Sequence, residues 1–130
     1  MGRAMKTFKE VLEEAKKSVQ EINVDQAREI LKKGKALFID VREPQEYEEG
    51  IVRGALRVPR GVLELQIERM IPERDQEIVI YCAGGARSAL AAKSLKEMGY
   101  QNVKSMVGGF TVWEAAGYET EVTPERQAEG

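Results

Sequence analysis

The alternation of short apolar runs with segments of helical periodicity constrains the fold of this chain most. The apolar runs are short and rich in β-branched and aromatic residues, which is typical of strands. They lie at residues 36–41 (ALFIDV), 55–59 (ALRVP), 77–82 (EIVIYC) and 103–107 (VKSMV). Strands separated by helical segments indicate an α/β fold with a mainly parallel central sheet.

The helical segments carry their own end signals. Asn23, followed by Gln26, is typical of a helix cap with its reciprocal partner, and it predicts a helix that ends at Gly34. Residues 61–71 have helical spacing through Val62, Leu65 and Met70. Further helices are predicted over residues 87–99 and 110–117, and a short helix or turn over residues 43–50.

The domain itself is expected to span residues 22–119. Before it, residues 1–21 predict an amphipathic helical extension that packs on the same domain or, as the alternative, forms a dimer contact. Its apolar positions are Phe8, Val11, Leu12, Ala15 and Val19. After it, residues 120–130 are predicted to be a tail, in which TPERQAEG is expected to fray.

Size and charge exclude several classes of protein. The 130 residues suffice for one domain, and a net charge of −2 does not suit a nucleic-acid binder of this size. No apolar run is long enough to cross a bilayer, and acidic residues stand where an export signal needs its apolar stretch. We therefore expect a cytoplasmic protein that binds neither nucleic acid nor membrane, and a single cysteine fits a reducing compartment.

The absence of histidine narrows the chemistry further. The chain contains one cysteine, Cys82, and no histidine. Serine–histidine–aspartate triads, cysteine–histidine dyads and cysteine/histidine zinc sites are therefore excluded within this chain.

Cys82 stands where an α/β sheet places its ligands. It ends one predicted strand and precedes a helix expected to begin near Ser88, and parallel sheets bind ligands at the carboxyl ends of their strands. The intervening residues Ala83, Gly84, Gly85 and Ala86 are small, so the backbone can approach a group on the sulfur. The helix N-terminus and the N–H groups of the turn favour the thiolate, which is the nucleophilic form.

Two further points about this loop remain open from the residues alone. Cys82 can instead be a buried structural cysteine beside a plain turn. Arg87 either supplies a permanent charge at the rim or braces the loop by pairing with a carboxylate.

Four residues separate Cys82 from Arg87, one fewer than cysteine-dependent phosphatases need to seat a phosphoryl group. The shorter loop suits a single sulfur atom carried as a persulfide.

Several segments in order resemble the rhodanese-like, single-domain sulfurtransferases. The Cys82–Arg87 loop and its following serine resemble the active-site loop of that family, and FIDVREPQEYEEG resembles its Asp-x-Arg-x-x-x-Glu-[Phe/Tyr] segment. GALRVP (54–59) and GGFTVWEAAGY (108–118) resemble two further family segments. One departure is that Ile51 and Arg53 stand where the family often has histidine and proline.

The resemblance implies a fold, a site and a reaction. The fold is a rhodanese-like open twisted sheet with helices on both faces. Cys82 takes sulfur from a sulfane donor such as thiosulfate and passes it to cyanide, a small thiol or a thioredoxin-like or sulfur-carrier protein. The N–H groups of residues 83–87 stabilise the outer sulfur, and no cofactor or metal is implied.

Other residues receive mostly structural roles. Asp40 and Arg42 are expected to pair behind the loop as supporting residues, and Trp113 is expected in the core. Three arginines, Arg53, Arg57 and Arg60, either guide an anionic donor or form a solvated face. The alternative functions are a non-catalytic rhodanese-like module that binds partners or senses stress, and a cysteine-dependent phosphatase or arsenate reductase.

Overall fold

A five-stranded, wholly parallel sheet organises the protein, whose computed structural model describes residues 5–122. The strands are β1 (Gln20–Ile22), β2 (Leu37–Asp40), β3 (Ile51–Val52), β4 (Leu56–Arg57), β5 (Ile78–Tyr81), β6 (Val103–Met106) and β7 (Thr120–Glu121). The helices are α1 (Phe8–Ser18), α2 (Val24–Lys33), α3 (Leu63–Met70), α4 (Ala86–Glu97) and α5 (Gly109–Ala115). The strand order is β1-β6-β5-β2-β4, and β3 pairs with β7 in a separate antiparallel ribbon.

Helices cover both faces of the sheet, because successive side chains of each strand point to opposite sides. Phe38, Val79 and Tyr81 pack with residues of α2 and α5 on one face. Ile39, Ile78 and Ile80 pack with residues of α3 and α4 on the other. The predicted α/β fold is therefore confirmed. A sheet buried on both faces also explains why its strands read as continuous apolar runs.

The residues at the two ends of α2 predicted its start and end correctly. Asn23 accepts a hydrogen bond from the Gln26 backbone N–H, and the Gln26 side chain accepts one from the Asn23 N–H, both at 2.8 Å. Gly34 ends the helix in the left-handed conformation, with φ +75°. The short segment after β2 forms a 3₁₀ helix at Pro44–Glu49.

The apolar spacing of α3 did not identify its buried face. Leu65 is 82% exposed and Met70 is also exposed, whereas Leu63 and Ile67 are fully buried. The residues after Pro59 first form a 3₁₀ turn, Arg60–Val62, and only then the α-helix, so the phase of the helix differs from that of the sequence pattern.

The N-terminal helix packs on the domain through α4. Ala15 is fully buried there, while Phe8 and Val11 remain exposed. The sequence did not indicate β1, which follows this helix and pairs with β6, so its residues Gln20 and Glu21 lie in the main sheet. Residues 120–121 form β7, and the TPERQAEG segment lies outside the described residues.

Candidate active site

Cys82 lies at the carboxyl edge of the sheet, directly after β5 and before α4. Its side chain is 1% exposed and belongs to the apolar layer formed by α3, α4 and the sheet. This is the edge at which open parallel sheets bind ligands. The sulfur is therefore buried beneath the loop that joins β5 to α4.

Two backbone N–H groups point at this sulfur. Cys82 Sγ accepts hydrogen bonds from the N–H of Gly85 at 3.1 Å and of Ser88 at 3.4 Å. Both donors belong to the N-terminal end of α4, where helix N–H groups lack intrahelical partners and carry partial positive charge. The arrangement favours negative charge on the sulfur, and the Arg87 guanidinium lies near enough to interact with that charge as well.

The helix begins earlier than the sequence suggested. α4 starts at Ala86 rather than near Ser88, so the non-helical loop consists of Ala83, Gly84 and Gly85. Ala86 and Arg87, predicted as loop residues, form the first turn of the helix. Of the described residues, Gly85 and Ser88 donate their backbone N–H groups to Sγ. That the N–H groups of residues 83–87 stabilise the outer sulfur of a persulfide stays a prediction. The sequence misplaced the helix start because Ala86 is the last of four small residues with no cap side chain before it.

Glycines allow this loop to close tightly. Gly85 has φ +121°, a conformation that side chains rarely permit. Gly109, at the start of α5, lies so close that an added Cβ would stand 2.4 Å from the carbonyl oxygens of Cys82 and Ala83. Those two carbonyls accept hydrogen bonds from Phe110 at 2.8 Å and Thr111 at 3.1 Å. The absence of a side chain at Gly109 therefore lets α5 approach the loop, and the two hydrogen bonds hold them together.

Arg87 pairs with Glu46, a residue to which the sequence assigned no role. Its guanidinium donates to both carboxylate oxygens, at 2.8 and 3.0 Å. Hydrogen bonds from Arg87 lower the pKa of Glu46 to about 2, although partial burial opposes the shift. The same hydrogen bonds raise the pKa of Arg87. The pair ties the first turn of α4 to the 3₁₀ helix after β2.

Asp40 and Arg42 form a second pair, which is buried. Arg42 Nε and Nη2 donate to the Asp40 carboxylate at 2.8–3.1 Å, and Nη2 also donates to Gly50 O at 2.6 Å. The guanidinium lies 4.2 Å from the Phe110 ring centre. Burial acts to lower the pKa of Arg42, but the hydrogen bonds and charge of Asp40 outweigh it and raise that pKa.

The remaining sequence candidates are Trp113 and the three arginines, and none of the hydrogen bonds described to Cys82 comes from them. Trp113 is fully buried and donates from Nε1 to Glu119 O at 2.9 Å. Arg60 pairs with Glu64. Arg53 is exposed and Arg57 half-buried.

The sequence missed three further contributors to this site. They are Glu46, Gly109 and Ser105. Ser105 lies on β6, and its Oγ is 2.9 Å from Ser88 Oγ in the first turn of α4. Glu46 and Gly109 did stand in recognisable segments, whereas Ser105 offered only the weak signal of a polar residue within an apolar strand.

Other features of the described residues do not point to a second site of chemistry. A pocket of about 420 Å³ lies at the opposite, amino edge of the sheet, between residues 18–20 and the start of β6, and none of the candidate residues lines it. No three histidine, cysteine or carboxylate side chains of residues 5–122 are grouped to hold a metal ion. None of the helices in this range is long and apolar enough to cross a membrane.

Comparison with known proteins places this geometry in a family. Residues 23–116 match the family described as "Rhodanese-like domain". The chain is 38% identical over 96 residues to thiosulfate sulfurtransferase GlpE of Pseudoalteromonas translucida, covering 73% of this chain and 89% of that protein. It is 36% identical over 89 residues to a sulfurtransferase of Allochromatium vinosum, covering 68% and 80% of the two chains.

A solved structure agrees with the fold. It is a protein of unknown function from Rhodopseudomonas palustris, described as a possible tyrosine phosphatase, with 34% identity and a TM-score of 0.84. The match covers 93% of this chain and 99% of that one. With the family match extending from the start of α2 through α5, this chain belongs to the rhodanese-like domain family.

Proposed function

We propose that this protein is a sulfurtransferase that carries sulfane sulfur on Cys82. The observation that carries the proposal is the sulfur itself, buried at the loop floor and hydrogen-bonded by the N–H groups of Gly85 and Ser88. Related proteins named as sulfurtransferases support it.

In the first half-reaction, the Cys82 thiolate attacks the outer sulfur of a donor such as thiosulfate. A sulfur–sulfur bond forms to Sγ, the bond inside thiosulfate breaks, and sulfite leaves with the electron pair. The product is a Cys82 persulfide whose outer sulfur carries the negative charge. Backbone N–H groups at the start of α4 stabilise that charge because they are already oriented towards the loop.

In the second half-reaction, an acceptor removes the outer sulfur. Cyanide takes it as thiocyanate, and a thiol takes it as a persulfide, while the electron pair of the broken bond returns to Cys82 Sγ. The chain has no second cysteine to resolve the persulfide, so the acceptor comes from outside: a small thiol, or a cysteine of a thioredoxin-like or sulfur-carrier protein. The reaction uses no cofactor, and a reducing cytoplasm suits it.

The geometry disfavours the phosphatase alternative. A phosphatase loop needs its arginine to bind phosphoryl oxygens, but Arg87 is held by both oxygens of Glu46. The loop before α4 is also only three residues long. A non-catalytic module would have no need for a cysteine whose sulfur accepts hydrogen bonds from two backbone N–H groups.

Intact-mass spectrometry tests the proposal. After incubation with thiosulfate, the protein should gain one sulfur atom, which cyanide or dithiothreitol removes, and steady-state kinetics should be ping-pong. Cys82→Ser should keep the fold, as judged by thermal melting, and gain no sulfur. A wild-type chain that stays unloaded but hydrolyses an aryl phosphate would replace this function with the phosphatase one.

A further inference from the structure

Two buried hydroxyl groups lie behind the sulfur and have no part in the reaction described so far. Ser88, in the first turn of α4, and Ser105, on β6, are both fully buried. Their Oγ atoms are 2.9 Å apart, and Ser88 Oγ lies 3.7 Å from Cys82 Sγ. A chain of two hydroxyls therefore runs from the neighbouring strand to the candidate nucleophile.

Ser105 is out of place in its layer of the core. Because side chains two residues apart on a strand share a face, Ser105 points to the same side as Val103, which packs against the apolar cluster of Ile78, Ile80 and Cys82. A hydroxyl in such a layer costs free energy unless it is hydrogen-bonded. Alanine would occupy the position without that requirement, so the hydroxyl calls for a functional reason.

The direction of the hydroxyl chain follows from counting protons and acceptors. Each serine has one hydroxyl proton. Among the described residues, the side-chain oxygen of Ser105 has one hydrogen-bond partner, Ser88 Oγ. Ser88 Oγ donates to Gly85 O at 3.2 Å, and Cys82 Sγ lies 3.7 Å from the same oxygen. A Cys82 thiol donates to Ser88 Oγ, whereas a Cys82 thiolate has no proton and can only accept from it. Since a buried proton without an acceptor is costly, Ser105 donates to Ser88, and the Ser88 proton goes to Gly85 O or to the sulfur.

We propose that Ser105 is a positioning residue: by donating to Ser88, it keeps the Ser88 proton available to Cys82 Sγ whenever that sulfur is negatively charged. The inference rests on the proposed function. When the sulfur–sulfur bond forms, Sγ loses its charge and the Ser88 proton turns to Gly85 O. When the acceptor takes the outer sulfur, the electron pair returns to Sγ, which again accepts from Ser88. The same donor thus serves the nucleophile of one half-reaction and the leaving group of the other.

Alkylation of Cys82 by iodoacetamide at neutral pH tests this without any sulfur donor. Ser88→Ala and Ser105→Ala should each slow alkylation and single-turnover sulfur loading by about three- to tenfold. Loss of a hydrogen bond to a charged group by itself lowers the thiolate fraction about ten- to hundredfold, and the higher nucleophilicity of the remaining thiolate offsets about half of that on a logarithmic scale. The double variant should be no slower than Ser88→Ala alone, because Ser105 acts through Ser88. Ser94→Ala is the control, since that hydroxyl lies on the same helix but donates to Glu64.

A second pair of variants separates the hydroxyl from packing. Ser105→Thr and Ser105→Val add nearly the same bulk, but only threonine keeps the hydroxyl, so the threonine variant should alkylate faster by the same factor. Equal rates for these two, or effects of Ser88→Ala and Ser105→Ala that multiply in the double variant, would overturn the proposal. A wild-type protein that takes no sulfur from any donor, yet shows this alkylation hierarchy, would instead refute the proposed function and keep the hydroxyl chain.

Discussion

Asp40–Arg42 and Glu46–Arg87 are arginine–carboxylate pairs near the carboxyl edge of the sheet, and they differ mainly in burial. Asp40 and Arg42 are 0% and 1% exposed, whereas the side chains of Glu46 and Arg87 are 28% and 36% exposed. Both guanidinium groups engage both oxygens of their carboxylates. The two pairs join the same chemical groups. Differences in what they contribute to stability and activity therefore arise from their exposure to water and from their places in the fold.

Burial makes the first pair a condition of folding. Neither charge can regain water if its partner is lost, and a lone buried charge is strongly destabilising. Water screens the second pair, and such pairs contribute about 0–1 kcal/mol to stability. The second pair, however, is attached to the turn that surrounds the sulfur. We therefore expect the buried pair to control stability and the rim pair to control activity.

Removing the buried carboxylate should have the largest effect. Asp40→Asn keeps the shape of the side chain but leaves the buried Arg42 cation with only the exposed Glu49 carboxylate, 3.9 Å away, as an ion-pair partner. We expect a loss of about 3–5 kcal/mol, or a fall in Tm of about 10–20 °C. Thermal and urea unfolding measure it. Asp75→Asn removes an exposed carboxylate and serves as the control. A shift for Asp40→Asn as small as that of the control would abolish the distinction between the two pairs.

Removing the rim guanidinium should change activity more than stability. Arg87→Ala frees the first turn of α4 from Glu46, and we expect kcat/KM to fall by about three- to tenfold while the free energy of unfolding changes by only about 1 kcal/mol. The loss should be similar for thiosulfate and for a neutral persulfide donor, because the pairing with both oxygens of Glu46 indicates that Arg87 braces the loop. The control is Arg28→Ala, whose pair with Glu119 has similar exposure, 36% and 31%. A rise in KM for thiosulfate alone would show that Arg87 leaves Glu46 to bind the donor.

The smallest expected effect is a loss of stability at acidic pH. The pKa of Glu46 is lowered to about 2 in the folded protein from an ordinary value of 4.5. The pair therefore contributes its small stabilisation fully above about pH 4.5 and loses it as the pH falls through about 2. The difference in unfolding free energy between wild type and Glu46→Gln should be constant from pH 7 to 4.5 and shrink below that. Urea titrations across this range measure it, and a difference that vanishes already by pH 4.5 would mean that the pair does not hold in solution.

Much of the fold was predictable because the residues that mark helix ends and buried strands lie within the elements they predict. The cap and stop of α2 depend on residues within one helix, and the apolar strands reflect burial on both faces of a parallel sheet. The same kind of reasoning failed for α3, where a 3₁₀ turn before the helix changed which side chains face the core. The sequence also missed β1, β3 and β7, since strands of two or three residues carry almost no periodicity. The equally short β4 was predicted only as part of the five-residue run 55–59.

By itself, the sequence determined the α/β class, the position of Cys82 between a strand and a helix, and a small-residue turn that favours a charged sulfur. These depend on residues close together in the chain. Only the tertiary structure decided what surrounds that turn. Glu46 reaches Arg87 across 41 positions, and Ser105 reaches Ser88 across 17. Gly109 meets the turn only because α5 packs against it. Such partners are selected by the pairing order of parallel strands, which brings distant segments to one edge of the sheet. The local pattern of residues can mark a position as unusual, but it does not show which distant residue that position contacts.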